Sequence, residues 1–256
     1  MKTRHILPDK RIASFVDRIL VIEKSQIITP FILPLYPNGV PTILFKSVKG
    51  KIGDKKVGHL TLFGQTVSPE FLSLSDDFVL IAYFFKPYTL MSLFGIQANE
   101  ITDKPVDLNL ILAGRSKIPE ERLLNANDVD VMIKLLDDFI FGLLSTQKTE
   151  CELMKVASIE IAENPTKEAL IRVQQKLHIT ERTFQRMFEK NIGIAPNLYR
   201  RICQFNSAFN LLNDQRWRQK LTDIAYENGY ADQSHYTRSF KEFTGITPTE
   251  YLRFGS

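Results

Sequence analysis

Cysteine is scarce in this chain, with two thiols, Cys151 and Cys203, in 256 residues. They allow one bridge at most and form no CxxC pair, which excludes a secreted disulfide framework and a four-thiolate zinc site, and a reducing cytoplasm fits best. Histidine is limiting too: only His5 and His59 lie in the first 150 residues, with no HxH or HExxH spacing. A metal-binding barrel would lack its ligands, and His59 reads as a hydrogen-bonded strand residue rather than a ligand or base. With no cysteine before Cys151, a zinc-dependent alkyl-transfer module is excluded as well. Glycine and proline, 12 each, are too few for a fibrous or disordered chain, and neither a Gly-rich phosphate loop nor a GxSxG nucleophile occurs. Long apolar runs are missing. The longest, Phe78 to Phe85, falls far short of the roughly 20 residues that span a bilayer. The start, Met1-Lys2-Thr3-Arg4-His5-Ile6, has no signal-peptide apolar stretch. The expectation is a soluble, cytoplasmic protein that is not an enzyme, with no membrane partner, no cofactor and no metal.

What is present is ordinary in amount and uneven in place. Apolar residues at 44% and charged residues at 24% suit packed cores. At roughly 150 residues per domain the length favours two of them. The net charge of +4 is lopsided: residues 166 to 256 carry 14 Lys/Arg against 9 Asp/Glu, and the preceding part carries 19 against 20. A basic half allows a polyanion partner, although a solvated basic surface is the commoner cause, and charge alone does not decide.

From about Leu20 to Lys86 the pattern predicts strands. Ile27-Ile28, Phe31 to Leu33, Thr42 to Phe45, Leu60 to Phe63, Phe71 to Leu74 and Phe78 to Phe85 are apolar, β-branched or aromatic. Turn formers separate them, among them Pro34, Pro37-Asn38-Gly39, Gly53-Asp54 and Ser75-Asp76-Asp77. Several short strands at close spacing suggest a small antiparallel barrel or sandwich. Phe31, Tyr36, Phe45, Phe63, Tyr83 and Phe85 could line its cavity, but small barrels are normally filled by such side chains. After Pro87 the period turns helical, with Leu90, Leu93 and Phe94 on one face up to Gly95. Short helices follow at about 107–113 and 118–125. A longer one runs from Asp128 to Leu144, with Val131, Leu135, Leu136, Phe139 and Leu143 at helical spacing. The polar stretch Ser145-Thr146-Gln147-Lys148-Thr149 is the natural boundary, giving domains 1–147 and 148–256.

The C-terminal part contains a repeat. A shift of 52 residues places Phe184 on Tyr236, Arg186 on Arg238, Phe188 on Phe240, Gly193 on Gly245, Ile194 on Ile246, Pro196 on Pro248 and Tyr199 on Tyr251. Two glycines and two prolines at one offset argue for two copies of one helical unit. Each copy reads as a helix-turn-helix, at about 167–190 and 222–243. In the second, Thr222 is the expected N-cap, Ile224 and Ala225 face inward, and Gly229 supplies the positive φ of the turn. On its second helix Tyr236 and Phe240 share a buried face, which leaves Gln233, Ser234, Thr237, Arg238 and Lys241 on the others. In the first copy Thr180 caps a helix with the stripe Phe184, Met187 and Phe188, so Arg182, Gln185 and Arg186 point outward. Arg and Gln can bond guanine and adenine edges in the major groove, and Ser, Thr and Lys suit phosphates. For any one of these residues a solvated helix is the plainer reading; a matched set on two helices argues against it. Between the units, Pro196 to Leu212 reads as one spacer helix about 25 Å long, close to the roughly 34 Å between successive major-groove faces.

Residues from about 155 to 254 resemble the DNA-binding domain of AraC/XylS-type transcription regulators. The resemblance is carried by Ile224-Ala225-Tyr226-Glu227-Asn228-Gly229-Tyr230-Ala231-Asp232-Gln233-Ser234-His235-Tyr236-Thr237-Arg238-Ser239-Phe240-Lys241. It is completed by Gly245-Ile246-Thr247-Pro248 and by Thr180 to Phe188 in the first unit. Gln174 stands where the family usually has a small Ala, and His178 where it has the turn Gly. The resemblance implies base reading by Arg182, Gln185 and Arg186, and by Gln233, Ser234, His235, Thr237 and Arg238, with Lys241, Lys190 and Thr180 on the DNA backbone. The N-terminal half resembles an uncharacterised domain joined to this one in bacterial regulators, where such domains sense a ligand, dimerise or do both. The implied fold is α+β: a small β-barrel-like domain with helices, then two helix-turn-helix units joined by a long helix. The implied partners are double-stranded DNA, a small-molecule effector and a second copy of the chain, with RNA polymerase added for an activator. The competing reading is a small-molecule-binding or enzymatic barrel with a helical protein-interaction domain. The connection Asn213 to Asp223, with Arg216-Trp217-Arg218, reads as a surface loop around one buried indole.

Overall fold

A computed structural model describes residues 1–112, 119–144, 152–214 and 220–254. The boundary stretch 145–149 and the Arg216-Trp217-Arg218 segment lie outside the described residues. Ten strands form two sheets: β1 (Lys2–Ile6), β2 (Val16–Lys24), β3 (Phe31–Leu35), β4 (Thr42–Lys46), β5 (Gly50–Ile52), β6 (Lys55–Val57), β7 (Leu60–Phe63), β8 (Glu70–Leu74), β9 (Phe78–Phe85) and β10 (Pro105–Asp107). One sheet has the order β1-β2-β9-β4-β7-β10 and the other β3-β8-β5-β6. They stack without closing into a barrel.

Strand β9 shows why its run is unbroken. Ile81, Tyr83 and Phe85 face one apolar cluster with the helices, while Phe78, Leu80 and Ala82 face a second between the sheets. A strand covered on both faces has no polar side to alternate with. The same parity divides the six aromatics expected around one cavity. Phe45, Tyr83 and Phe85 pack on the helical side. Phe31 stacks on Phe78 at 5.5 Å, and Tyr36 and Phe63 are the two of the six that line the cavity between the sheets and the helix Pro196–Asn213. Pro34 is not a breaker but sits inside β3, an edge strand paired only with β8, the kind of strand in which a sheet tolerates proline. Ile27 and Ile28 form no strand, and Ile28 is 96% exposed.

The helices over the first sheet are α1 (Leu108–Ile111), α2 (Glu120–Leu124) and α3 (Val129–Leu144), preceded by a π-helical turn at Leu90–Phe94 that ends at Gly95 with φ +69°. α3 buries Met132, Leu136, Phe139, Ile140 and Leu143, whereas Val131, expected inward, is half exposed. The buried Tyr83 hydroxyl donates to Asp137 at 2.7 Å and ties this helix to the sheet. Burial then holds the Asp137 carboxyl above its ordinary range.

The described residues that remain are mostly helical: α4 (Glu152–Glu163), α5 (Lys167–Lys176), α6 (Glu181–Ile192), α7 (Pro196–Asn213), α8 (Leu221–Glu227), α9 (Gln233–Thr244) and α10 (Pro248–Phe254). They enclose a third cluster centred on Phe188, Tyr199, Phe205, Tyr236, Phe240 and Phe243. Tyr88 of the N-terminal part enters that cluster, so the two halves share an apolar seam.

Candidate DNA interface and interdomain cavity

The two helix-turn-helix units are α5–α6 and α8–α9. Thr166 and Thr180 cap α5 and α6, their hydroxyls accepting from Ala169 N at 3.1 Å and Thr183 N at 3.3 Å. Asp232 caps α9 by accepting from His235 N at 2.7 Å. Such caps contribute about 1 kcal/mol each. Thr222 is not the N-cap of α8. Lys220 holds that position without a side-chain bond, and Thr222 lies inside the helix, its hydroxyl directed to Asp223. In the second unit Gly229 takes φ +71°, and in the first His178 occupies the left-handed region at φ +51°.

Phe184 and Phe188 on α6, and Tyr236 and Phe240 on α9, are buried. The opposite faces are open: Arg182, Gln185, Arg186 and Lys190 on α6, and Gln233, Ser234, His235, Arg238 and Lys241 on α9, are exposed. Thr237 is half-buried, and Thr180 is exposed but spends its hydroxyl on its cap. The Gln185 amide donates to Glu189 at 3.0 Å, and the His235 ring stands edge-on to Tyr230 at 5.2 Å. Reading a base with Gln185 therefore requires exchange of the Glu189 bond.

Spacer helix α7 runs 18 residues, about 27 Å at 1.5 Å per residue. A buried polar chain locks both units to it. Arg200 donates to the Pro165 carbonyl at 3.1 Å and to Gln204 at 2.9 Å, and Gln204 donates to the Asn228 carbonyl at 2.8 Å. Pro165 precedes α5 and Asn228 ends α8, so the chain sets the two units' mutual orientation. Burial lowers the Arg200 pKa. On the same helix, burial pushes the Cys203 thiol up to about 12, which keeps it protonated and unreactive.

Beyond the Tyr88 contact, the N-terminal part touches the helical part in the loop after β3 and at Thr102. The loop after β3 lies on α7: Gly39 has φ +74°, and a Cβ there would meet Ile202 at 3.4 Å and Tyr199 at 3.5 Å, while Tyr36 makes an edge contact with Phe209 at 5.7 Å. Further along, the Thr102 hydroxyl donates to the Gly193 carbonyl at 2.7 Å.

Between the first sheet, β3 with its loop, and α7 lies a cavity of about 250 Å³. Its floor follows from strand register. Arg18 and Thr42 both pair with Phe84, and Thr42 also pairs with Phe63, so these four side chains form one row; Leu20, Ala82 and Leu44 form the next. Phe205, Asn206, Phe209 and Asn210 of α7 close the cavity. Arg18 is the single charged residue in the lining, its guanidinium 4.3 Å from the centre of the Phe84 ring and 3.0 Å from Asp17. An apolar chamber with few polar groups has the character of a small-molecule site, though its volume lies just below the roughly 300–1,000 Å³ of drug-sized pockets.

Sequence reasoning passed over Arg18, Asn206, Asn210 and Thr102. Arg18 could have been found from its parity with Leu20 on an alternating strand. Lys46 was also missed: it is fully buried on the same sheet face, donating to the Gly58 carbonyl at 2.6 Å. Burial pushes its pKa down to about 8, with Asp107 and Glu120 pulling the other way. His59 lies just before β7, its Nδ1 2.9 Å from the Lys46 carbonyl. Among the described residues there is no group of three or more His, Cys, Asp or Glu side chains that could hold a metal ion.

Comparison with known proteins agrees with this architecture. A family described as "Helix-turn-helix domain" matches residues 173–253, and a "Domain of unknown function (DUF6597)" matches residues 4–107. An uncharacterised HTH-type transcriptional regulator of Haemophilus influenzae is 28% identical over 101 residues, a match covering 39% of this chain and 33% of that protein. The chain thus spans about a third of the length of the curated relative it matches. Among solved structures, ToxT from Vibrio cholerae aligns with TM-score 0.52 at 16% identity over 94% of this chain and 98% of its own. ToxT bound to (E)-4-(8-methylnaphthalen-1-yl)but-3-enoic acid aligns with TM-score 0.51 at 14% identity, again over 94% and 98%. At these identities the likeness is one of fold. In its helix-turn-helix domain and its fold the chain is similar to HTH-type transcription regulators. In this chain the helix-turn-helix domain follows an N-terminal β domain.

Proposed function

We propose that the chain binds duplex DNA sequence-specifically and regulates transcription, with α6 and α9 reading successive major grooves. In this reading residues 1–147 are a sensing and dimerisation domain and residues 148–256 the DNA-binding domain. Arg182, Gln185, Arg186, Gln233, Ser234, His235, Thr237 and Arg238 face bases; Lys190, Lys241 and Thr180 face the backbone. The observation that carries the reading is the repeated pair of capped helices, each with buried aromatics on one face and exposed Arg and Gln on the other. A small-molecule effector occupies the cavity against α7 and sets activity. ToxT, alike in fold, has been solved with an aryl-butenoic acid, which makes that compound the first probe. An activator role would add RNA polymerase as a partner, and pairing of two copies would double the DNA contacts. Among the described residues no helix is long and apolar enough to cross a membrane, and the reading places the protein in the cytoplasm without catalytic function.

The test is selection of bound sites from a random DNA pool by the full chain, followed by gel shifts across salt concentration. The expected result is an enriched motif with two half-sites and an affinity falling steeply with salt. Absence of any salt-sensitive retention overturns the reading in favour of a helical protein-interaction domain.

A further inference from the structure

We propose that segment 98–103 carries the state of the cavity wall to the C-terminal end of α6, by a route that the C-terminal end of α9 lacks. The proposal rests on the reading of the cavity as an effector site and adds the route of its regulation.

The route begins at Gly64, which lines the cavity. A Cβ there would stand 2.5 Å from the Ile101 carbonyl oxygen and 2.9 Å from its carbon. The end of β7 and segment 98–103 are therefore in backbone contact with no slack, and close packing passes displacement on rather than absorbing it. Asp103 laces the two segments together. It sits at φ +53°, donates through its own N–H to the Gln65 carbonyl at 2.9 Å, and accepts through its carboxylate from Val67 N at 2.7 Å and Ser68 N at 3.4 Å. Segments 64–68 and 98–103 form one unit.

The far end of that unit holds the last turn of α6. Gly193 ends this helix at φ +103°, and its carbonyl accepts the Thr102 hydroxyl at 2.7 Å. A Cβ on Gly193 would meet Thr102 Oγ1 at 3.0 Å and the Ala98 carbonyl oxygen at 3.1 Å. The repeat supplies an internal control. Gly245, 52 residues on, ends α9 at φ +83° with nothing within 4 Å of its Cβ position. Two glycines with one backbone role differ in that the N-terminal part clamps the first and leaves the second open.

Contiguity alone does not establish coupling, which has to be measured between the two sites. The measurement is hydrogen–deuterium exchange of the full chain without DNA, so that failure of DNA reading and failure of this route remain distinguishable. Ala82→Leu, on the cavity floor, serves as the probe of an occupied cavity. The expected result is a change of about threefold or more in amide exchange across 184–193 that depends on Thr102, whereas any change across 236–245, which Phe205 and Phe209 reach by packing on Phe240 and Phe243, does not. Thr102→Val added to Ala82→Leu should abolish the transfer, and Thr102→Ser should retain it. Transfer to 184–193 that survives Thr102→Val, or a Thr102→Val effect of equal size across 236–245, overturns the proposal. Gly193→Ala and Gly245→Ala decide the matter whatever Ala82→Leu does to folding, because both impose the same left-handed strain. Faster exchange across 63–68 and 98–103 in G193A alone supports the route, and indistinguishable exchange there in the two variants ends it.

Discussion

His178 and Gly229 take the same left-handed turn, at φ +51° and +71°, in the two helix-turn-helix units, although their side chains differ completely. His178 lies two residues before its N-cap, Thr180, and Gly229 three before Asp232, so the second turn is one residue longer. A non-glycine residue in this region costs about 1–2 kcal/mol, while glycine gives back roughly 0.5–1 kcal/mol through the freedom of the unfolded chain. His178→Gly should accordingly raise stability by about 0.5–1 kcal/mol, a gain of a few degrees in Tm by calorimetry. Gly229→Ala should lower it by about 0.5–1 kcal/mol by the same balance.

Arg186 and Lys241 should separate reading from holding. Arg186→Ala is expected to cost about 1–3 kcal/mol on the selected DNA site and to relax preference at one base position. Lys241→Ala should weaken all sequences alike and reduce the salt slope by about one. Gel shifts over a salt series distinguish the two outcomes, and matching behaviour of both variants would contradict the assigned roles.

Lys46 should make stability rise with alkaline pH. Burial lowers its folded pKa to about 8 from 10.5. Below pH 8 both states hold the proton and the full penalty is present. Between pH 8 and 10.5 the unfolded chain binds more protons, so unfolding free energy increases with pH, by on the order of 3 kcal/mol in all. The buried tyrosines Tyr83 and Tyr236, whose pKa values are raised, act in the opposite direction above about pH 10. Urea denaturation between pH 7.5 and 9.5 reads the Lys46 contribution, and Lys46→Met should flatten the curve.

Ligand binding in the cavity should appear as thermal stabilisation. At 100 times its dissociation constant a bound compound adds about 2.7 kcal/mol. The aryl-butenoic acid solved with ToxT is expected to raise Tm, and Ala82→Phe, which fills the floor, should abolish the rise without lowering the starting Tm severely. An unchanged response in A82F would place the binding site elsewhere.

Much of the helical half was legible in the sequence because its signals are local. Capping residues, the buried pairs Phe184 with Phe188 and Tyr236 with Phe240, and the glycines after α6 and α9 each act within a turn or two of helix. The 52-residue offset turns those local signals into one statement about two units. Where the reading failed, a neighbour in space had overruled a local preference. Pro34 fits within a strand because β3 is an edge. Thr222 is no cap because α8 begins before it, and Val131 turns outward because α3 already buries a different stripe.

The sequence by itself determined two helix-turn-helix units, their buried and exposed faces, and a β domain ahead of them, since helical and strand periods and chain punctuation are properties of near neighbours. Only the tertiary structure decided what joins them. The cavity between Ala82 and Phe209, the buried charge of Lys46, and the clamp of Thr102 on Gly193 bring together residues far apart in the chain. These contacts rest on packing and hydrogen bonds between segments distant in the chain, which no local pattern encodes.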